Sequence, residues 1–90
     1  MVLSVPKVEI YTSPFCGYCS RAKRLLKSKN VDFDEIDVAA DGARRDEMIA
    51  RANGRHTVPQ IFIAGEHVGG CDELYALESQ KKLDLLLTAT

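Results

Sequence analysis

The stretch that decides the fold is Lys7-Val8-Glu9-Ile10-Tyr11-Thr12-Ser13-Pro14-Phe15-Cys16-Gly17-Tyr18-Cys19, followed by Ser20 to Lys29. Lys7 to Tyr11 alternates polar and apolar residues, the period of a strand. Thr12-Ser13-Pro14 breaks it. From Gly17 to about Lys29 there is no internal Pro, and Ala22, Leu25, Leu26 and Lys29 recur at helical spacing. The reading is a strand, a Pro-containing turn, and a helix whose first turn carries a C-x-x-C pair, with Asn30 as its stop.

Outward from there the pattern repeats once and then changes. Val31 to Val38 is β-branched and aromatic and reads as a second strand. Asp41-Gly42 opens a polar helix through about Ala52, with Met48, Ile49 and Ala52 inward, and Asn53-Gly54 ends it. Pro59 to Ile63 is a short buried strand. Ala64-Gly65-Glu66 is a turn, His67-Val68 the return strand, and Gly69-Gly70 its end. Asp72 suits the N-cap of a third helix over Glu73 to Glu78, and Lys81 to Leu87 is a last amphipathic helix. The order β-α-β-α-β-β-α-α predicts an α/β fold with a mixed four-stranded sheet covered by helices.

Ninety residues suit a single domain spanning 1–90, with a small core. Hydrophobic residues at 46% and charged residues at 28% are ordinary for a globular chain and exclude disordered, collagen-like and coiled-coil classes. The net charge of −1 gives no electrostatic case for nucleic acid or an anionic membrane. No apolar run approaches the roughly 18 residues that span a bilayer, and Met1 to Lys7 lacks the basic start and apolar stretch of an export signal. The expectation is a cytoplasmic protein or the mature part of an organellar one. Charge is segregated nonetheless. Arg21, Lys23, Arg24, Lys27 and Lys29 crowd the first helix, and Asp32, Asp34, Glu35, Asp37 and Asp41 follow, which reads as a solvated surface or as one that steers an anionic thiol substrate.

Three cysteines are an odd number, unlike a disulfide-stapled secreted domain. In a reducing compartment, Cys16 and Cys19 at C-x-x-C spacing point to redox or metal chemistry. Disulfide exchange needs a thiolate, and a cysteine at a helix N-terminus meets unpaired N–H groups and the positive end of the dipole, which stabilise one. That assigns Cys16 as attacking thiol and Cys19, one turn deeper, as resolving thiol. The alternative is a zinc site completed by His67 and Cys71, but the stretch from Cys19 to His67 holds two helices and a strand, far more than a zinc finger spans.

Three motifs, Cys16-Gly17-Tyr18-Cys19, Thr57-Val58-Pro59-Gln60-Ile61-Phe62-Ile63 and Gly69-Gly70-Cys71-Asp72, stand in the order and spacing of the glutaredoxins, which the chain resembles from about Lys7 to Leu87. It looks most like their bacterial dithiol class. Thioredoxins typically carry a Trp before the first Cys and Gly-Pro between the pair; here Phe15 precedes it and there is no Trp. The resemblance implies a thioredoxin-like fold and glutathione-dependent thiol–disulfide exchange, with glutathione as cosubstrate and with protein disulfides and glutathionylated proteins as partners of a monomer. It implies a cis Val58-Pro59 bond that frees the Val58 backbone to pair with glutathione, with Thr57 beside it. It gives Gly69-Gly70 the role of close backbone approach, and Cys71 and Asp72 that of holding the γ-glutamyl carboxylate and ammonium. Tyr18 becomes a lid over the glutathione sulfur, and Arg45 stands at a contact to the glycine carboxylate.

Two departures carry consequences. Ser13 stands where many relatives have a Lys that pairs with the thiolate. Gly17 stands where many dithiol members have Pro, and small residues there accompany members that hold a 2Fe–2S cluster between two chains and two glutathiones through the first Cys. A cluster-bridged dimer through Cys16 is therefore the alternative reading. Cys71 reads as an unreactive half-buried thiol, and His56 and His67 as surface residues.

Overall fold

A computed structural model describes residues 6–88. Residues 1–5, on which the reading of no export signal partly rests, and 89–90 lie outside it. The elements run β1 (Val8–Thr12), α1 (Gly17–Ser28), β2 (Asp34–Asp37), α2 (Gly42–Arg51), β3 (Gln60–Ile63), β4 (Glu66–Gly69), α3 (Cys71–Ser79) and α4 (Leu83–Thr88). This is the expected order, in a mixed sheet of strand order β2-β1-β3-β4. β1 pairs parallel with β2 and antiparallel with β3, and β4 closes an antiparallel hairpin onto β3. No helix among the described residues is long and apolar enough to cross a membrane.

The register sorts the side chains into two layers. Val8 faces Ile63 and Ile10 faces Ile61, so these four share one face of the sheet. They pack with Ala22, Leu25 and Leu26 of α1, Leu74 of α3, and Leu83 and Leu87 of α4. Burying a side chain such as Leu26 or Ile10 completely contributes about 1.5–3 kcal/mol. On the opposite face Glu9 pairs with Phe62 and Tyr11 with Gln60. There Tyr11 and Phe62 pack with Val38, Met48 and Ala52 under α2.

The alternation in Lys7 to Tyr11 therefore does not separate core from solvent, because β1 is central and covered on both faces. Arg51 of α2 makes Glu9 tolerable there. Its guanidinium donates to both Glu9 oxygens at 2.9 and 3.1 Å and to Tyr11 Oη at 2.8 Å, and stacks 4.1 Å over the Phe62 ring. That pairing holds the Glu9 carboxyl below its ordinary range.

The stops fall as expected: Asn30 and Asn53 both take the left-handed conformation that ends a helix. Three boundaries differ. The second strand is confined to Asp34–Asp37, an edge strand that among the described residues pairs only with β1. The last helix begins at Leu83, after Lys81 turns left-handed. The N-cap of α3 is Gly70 rather than Asp72, which lies inside the first turn. Part of the charge segregation pairs across the α1–β2 boundary, where Lys23 meets Glu35 at 2.9 Å.

Candidate active site

The turn between β1 and α1 delivers Cys16 as the N-cap residue of α1, in extended conformation, with its sulfur accepting from the Cys19 N–H at 3.1 Å. Phe15 just before it takes a positive φ of 59° and projects wholly into solvent, an unusual conformation for a bulky residue. Cys16 is half-buried and disulfide-bonded to Cys19, which lies under it with 2% exposure. The accessible and inaccessible members of the pair are thus those the spacing assigned.

Two depressions flank the sulfur. One, of about 780 Å³, is lined by Cys16, Phe15, Gly17 and Ser13, with Lys23, Glu35 and Asp37 at its far wall. The other, of about 270 Å³, is lined by Tyr18, Thr57, Val58, Pro59, Gly70, Cys71 and Asp72, together with Arg55 and Glu73. Cys16 Sγ lies 3.9 Å from the Val58 carbonyl oxygen, so the second depression begins beside the sulfur. The Val58-Pro59 bond is cis.

The smaller groove depends on glycine at two places. Gly69 has φ +122°, and a Cβ there would fall 2.6–2.9 Å from the Glu73 side chain. A Cβ on Gly70 would come 3.2 Å from the Pro59 carbonyl oxygen. The chain end of β4 thereby lies directly against the loop that carries the cis bond. Glu73 makes the half of a capping box that needs no side chain on Gly70: its Oε1 accepts from the Gly70 N–H at 2.7 Å, and also from Arg55 Nη1 at 2.8 Å. Those donors hold the Glu73 carboxyl below its ordinary value.

Of the ten residues singled out in the sequence, seven line the smaller groove, Cys16 stands beside it, and Cys19 lies under Cys16 and lines the larger depression. Arg45 does not line it; its guanidinium donates to the His56 carbonyl at 3.0 Å and so ties down the loop entering Thr57. Arg55 and Glu73 were not singled out. Arg55 follows Gly54 in a loop with no periodicity to mark it, whereas the spacing of Gly70 to Glu73, N-cap to N3, is a capping signature. His67 is not a surface residue: it is half-buried, its ring 5.1 Å from that of Phe62. Cys71 is buried at 5% exposure, and burial pushes its thiol up. The four groups of the zinc alternative are not brought together; among the described residues no three His, Cys, Asp or Glu side chains converge to hold a metal ion.

A family model for glutaredoxins matches residues 8–68. The chain is 58% identical to glutaredoxin 3 of Escherichia coli over 80 residues, 89% of this chain and 95% of that one. Its structure resembles the solution structure of glutaredoxin from Brucella melitensis, with a TM-score of 0.83 at 56% identity, covering 94% of this chain and 91% of that one. It also resembles a buckwheat glutaredoxin–glutathione complex, with a TM-score of 0.83 at 30% identity over 92% of this chain and 77% of that one. With the helix-capping cysteine, its buried partner and the cis-proline groove in the thioredoxin-like arrangement of those structures, the chain belongs to the glutaredoxin family of glutathione-dependent thiol–disulfide oxidoreductases.

Proposed function

We propose that Cys16 is the attacking thiolate, Cys19 the resolving thiol, and the groove from Tyr18 to Asp72 the glutathione site. The observation that carries this is the placement of Cys16 Sγ at the N-cap of α1, 3.1 Å from the Cys19 N–H and beside the Val58 carbonyl. Once the disulfide is reduced, that N–H faces a thiolate and favours it over the thiol. With a glutathionylated protein, the Cys16 thiolate attacks the glutathione sulfur, and the target leaves as a thiolate that takes up a proton. A second glutathione thiolate then attacks the bound glutathione sulfur. Glutathione disulfide leaves and the Cys16 thiolate is restored. With a protein disulfide, the Cys16 thiolate attacks one sulfur, the substrate S–S bond breaks, and the other sulfur leaves as a thiolate that takes up a proton. Cys19, having given up its proton, then attacks Cys16 Sγ, closes the Cys16–Cys19 disulfide and expels the second substrate thiolate. Two glutathiones reduce that disulfide and leave as glutathione disulfide. The exposed rings of Phe15 and Tyr18 beside the sulfur suit contact with a protein substrate.

In this reading the Val58 backbone pairs with the extended glutathione backbone in the manner of an added strand. The first N–H groups of α3, which the helix leaves unbonded, receive the γ-glutamyl carboxylate. Asp72, exposed in that first turn, meets the ammonium. Asp72→Asn is expected to raise the KM for glutathione about tenfold or more, since a charge-assisted hydrogen bond contributes about 1.5–3 kcal/mol. Because Asp72 is not the cap, the stability loss should stay within the roughly 0.3–1 kcal/mol of a charge near a helix N-terminus. Kinetics with glutathione as the varied substrate, paired with thermal melts, checks both; an unchanged KM with a large drop in Tm would mean that Asp72 serves only the helix.

A second reading is favoured by Gly17. A Cβ there would meet nothing within 4 Å, so the fold itself does not demand glycine at this position. Open space beside Cys16 suits a second chain, and Cys16 is the thiolate each chain would give a 2Fe–2S cluster shared through two glutathiones. Gly17→Pro places at N1 a residue that suits a helix start but stiffens and crowds this approach. Iron uptake and dimer formation on reconstitution should fall while exchange activity stays. Gel filtration with iron analysis decides it: a wild type that stays monomeric, or equal iron in both proteins, removes the role of Gly17.

A further inference from the structure

Beneath the groove runs a chain of hydrogen bonds that exchange itself does not use. Gln60 on β3 is fully buried. Its Nε2 donates to the Thr57 carbonyl oxygen at 3.0 Å and to Thr57 Oγ1 at 3.3 Å. Its Oε1 lies 2.7 Å from His67 Nε2. A carbonyl oxygen can only accept, so the NH₂ end of this amide must face Thr57 and its oxygen must face His67. Two acceptors form no bond, so Nε2 of His67 carries the hydrogen. It does so in the neutral ring and in the imidazolium alike, so the chain of bonds persists through the titration of His67.

The hairpin places these groups together. Phe62 is paired with His67, while Ile61 is paired with Gly69, leaving Val68 as the extra residue of a bulge. Gln60, Phe62 and His67 therefore share the face of the sheet that lies under α2. Thr57, in contrast, is exposed and belongs to no helix or strand. Among the described residues, side-chain hydrogen bonds reach it only from Gln60, one to its carbonyl and one to its hydroxyl, with Arg45 holding the neighbouring His56 carbonyl.

We infer that His67, acting through Gln60, is a positioning residue that sets Thr57 and the start of the Val58-Pro59 loop for glutathione. This rests on the assignment of the groove to glutathione. Removing the His67 donor leaves the buried Gln60 oxygen without a partner, and the amide is then free to turn away from Thr57. The cost falls on glutathione recognition and not on the sulfur chemistry at Cys16.

The test compares His67→Phe, which keeps a ring against Phe62 and deletes the donor, with His67→Gln, whose amide returns an N–H at similar reach. Reduction of a glutathionylated peptide is followed with glutathione varied. His67→Phe should raise the glutathione KM about fivefold, the factor that one neutral hydrogen bond supplies, with kcat unchanged. His67→Gln should restore it. Independently of any variant, ¹⁵N spectra of the wild-type ring should show hydrogen on Nε2 and a bare Nδ1. A wild-type KM in His67→Phe, equal losses in both variants, or a bare Nε2 overturns the inference. Spectra of the Cys19→Ser protein as its glutathione mixed disulfide keep the two assignments apart. If the Thr57 amide shifts and the His67→Phe KM does not change, the relay fails alone; if glutathione leaves Thr57 unmoved, the groove assignment and the relay fail together.

Discussion

Cys16→Ser is expected to abolish exchange with protein disulfides and with glutathionylated proteins, by more than about a thousandfold, as loss of a covalent nucleophile does. A serine hydroxyl at the N-cap would still accept the Cys19 N–H, so the helix should form and the loss should be chemical. Cys19 cannot substitute, because it is 2% exposed and lies under the turn. Cys19→Ser should keep the release of glutathionylated targets, which needs only Cys16 and a second glutathione, and lose efficient turnover of protein disulfides, which needs a resolving thiol on the same chain. Separate assays on the two substrate classes measure this split. In the reduced wild type, brief alkylation at neutral pH should modify Cys16 before the two buried thiols, Cys19 and Cys71, the latter with its thiol also pushed up by desolvation. Faster labelling of Cys19 than of Cys16 would reverse the assignment.

The strand–turn–helix around the cysteines was legible because its signals are local. Pro14 ends the strand, Cys16 can cap a helix with its own sulfur, and Asn30 can turn left-handed to stop it. What the sequence hid depends on register and on the third dimension. Glu9 looks like a solvent position until β1 is known to be central, and then Arg51, distant in sequence, is what makes its burial acceptable. His67 looks exposed in a short Glu66-His67-Val68 run, and only its pairing with Phe62 across the hairpin fixes which face it takes. Asp72 looks like an N-cap by residue type, yet the cap falls two residues earlier, where Glu73 in the N3 position accepts from the Gly70 N–H. Six of the groove residues sit in the two later motifs and Tyr18 in the first, so resemblance reached them. Arg55 sits in a loop outside every motif and became visible only where β4 and α3 close on it.

Gly69→Ala is expected to destabilise the protein by roughly 2–4 kcal/mol, the sum of a strained left-handed backbone and a lost helix cap. The added Cβ would lie 2.6 Å from Glu73 Oε1, 2.8 Å from its Cγ and 2.9 Å from its Cβ. A rotamer change could move the carboxylate, but the Cβ is fixed by the helix, so the backbone at Gly69 or the start of α3 must shift. Either shift withdraws Glu73 from the Gly70 N–H and from Arg55. It also moves Gly70 away from the Pro59 carbonyl, and glutathione affinity should fall together with Tm, which should drop about 10 °C or more for a chain of this size. Gly70→Ala is the milder comparison, since its φ of −95° is open to any residue and its Cβ would only crowd the Pro59 oxygen at 3.2 Å. The difference should depend on pH. Glu73 titrates below its ordinary value in the folded chain, so the stability it contributes is present above that value and is lost as the pH falls through its folded pKa. The gap in Tm between wild type and Gly69→Ala should therefore be widest near neutrality and narrow in acid, where a protonated Glu73 no longer anchors Gly70 and Arg55 in either protein. A gap that is small at neutral pH, or that stays constant into acid, would mean that the glycine serves the β4 turn alone and that Glu73 does not hold the groove.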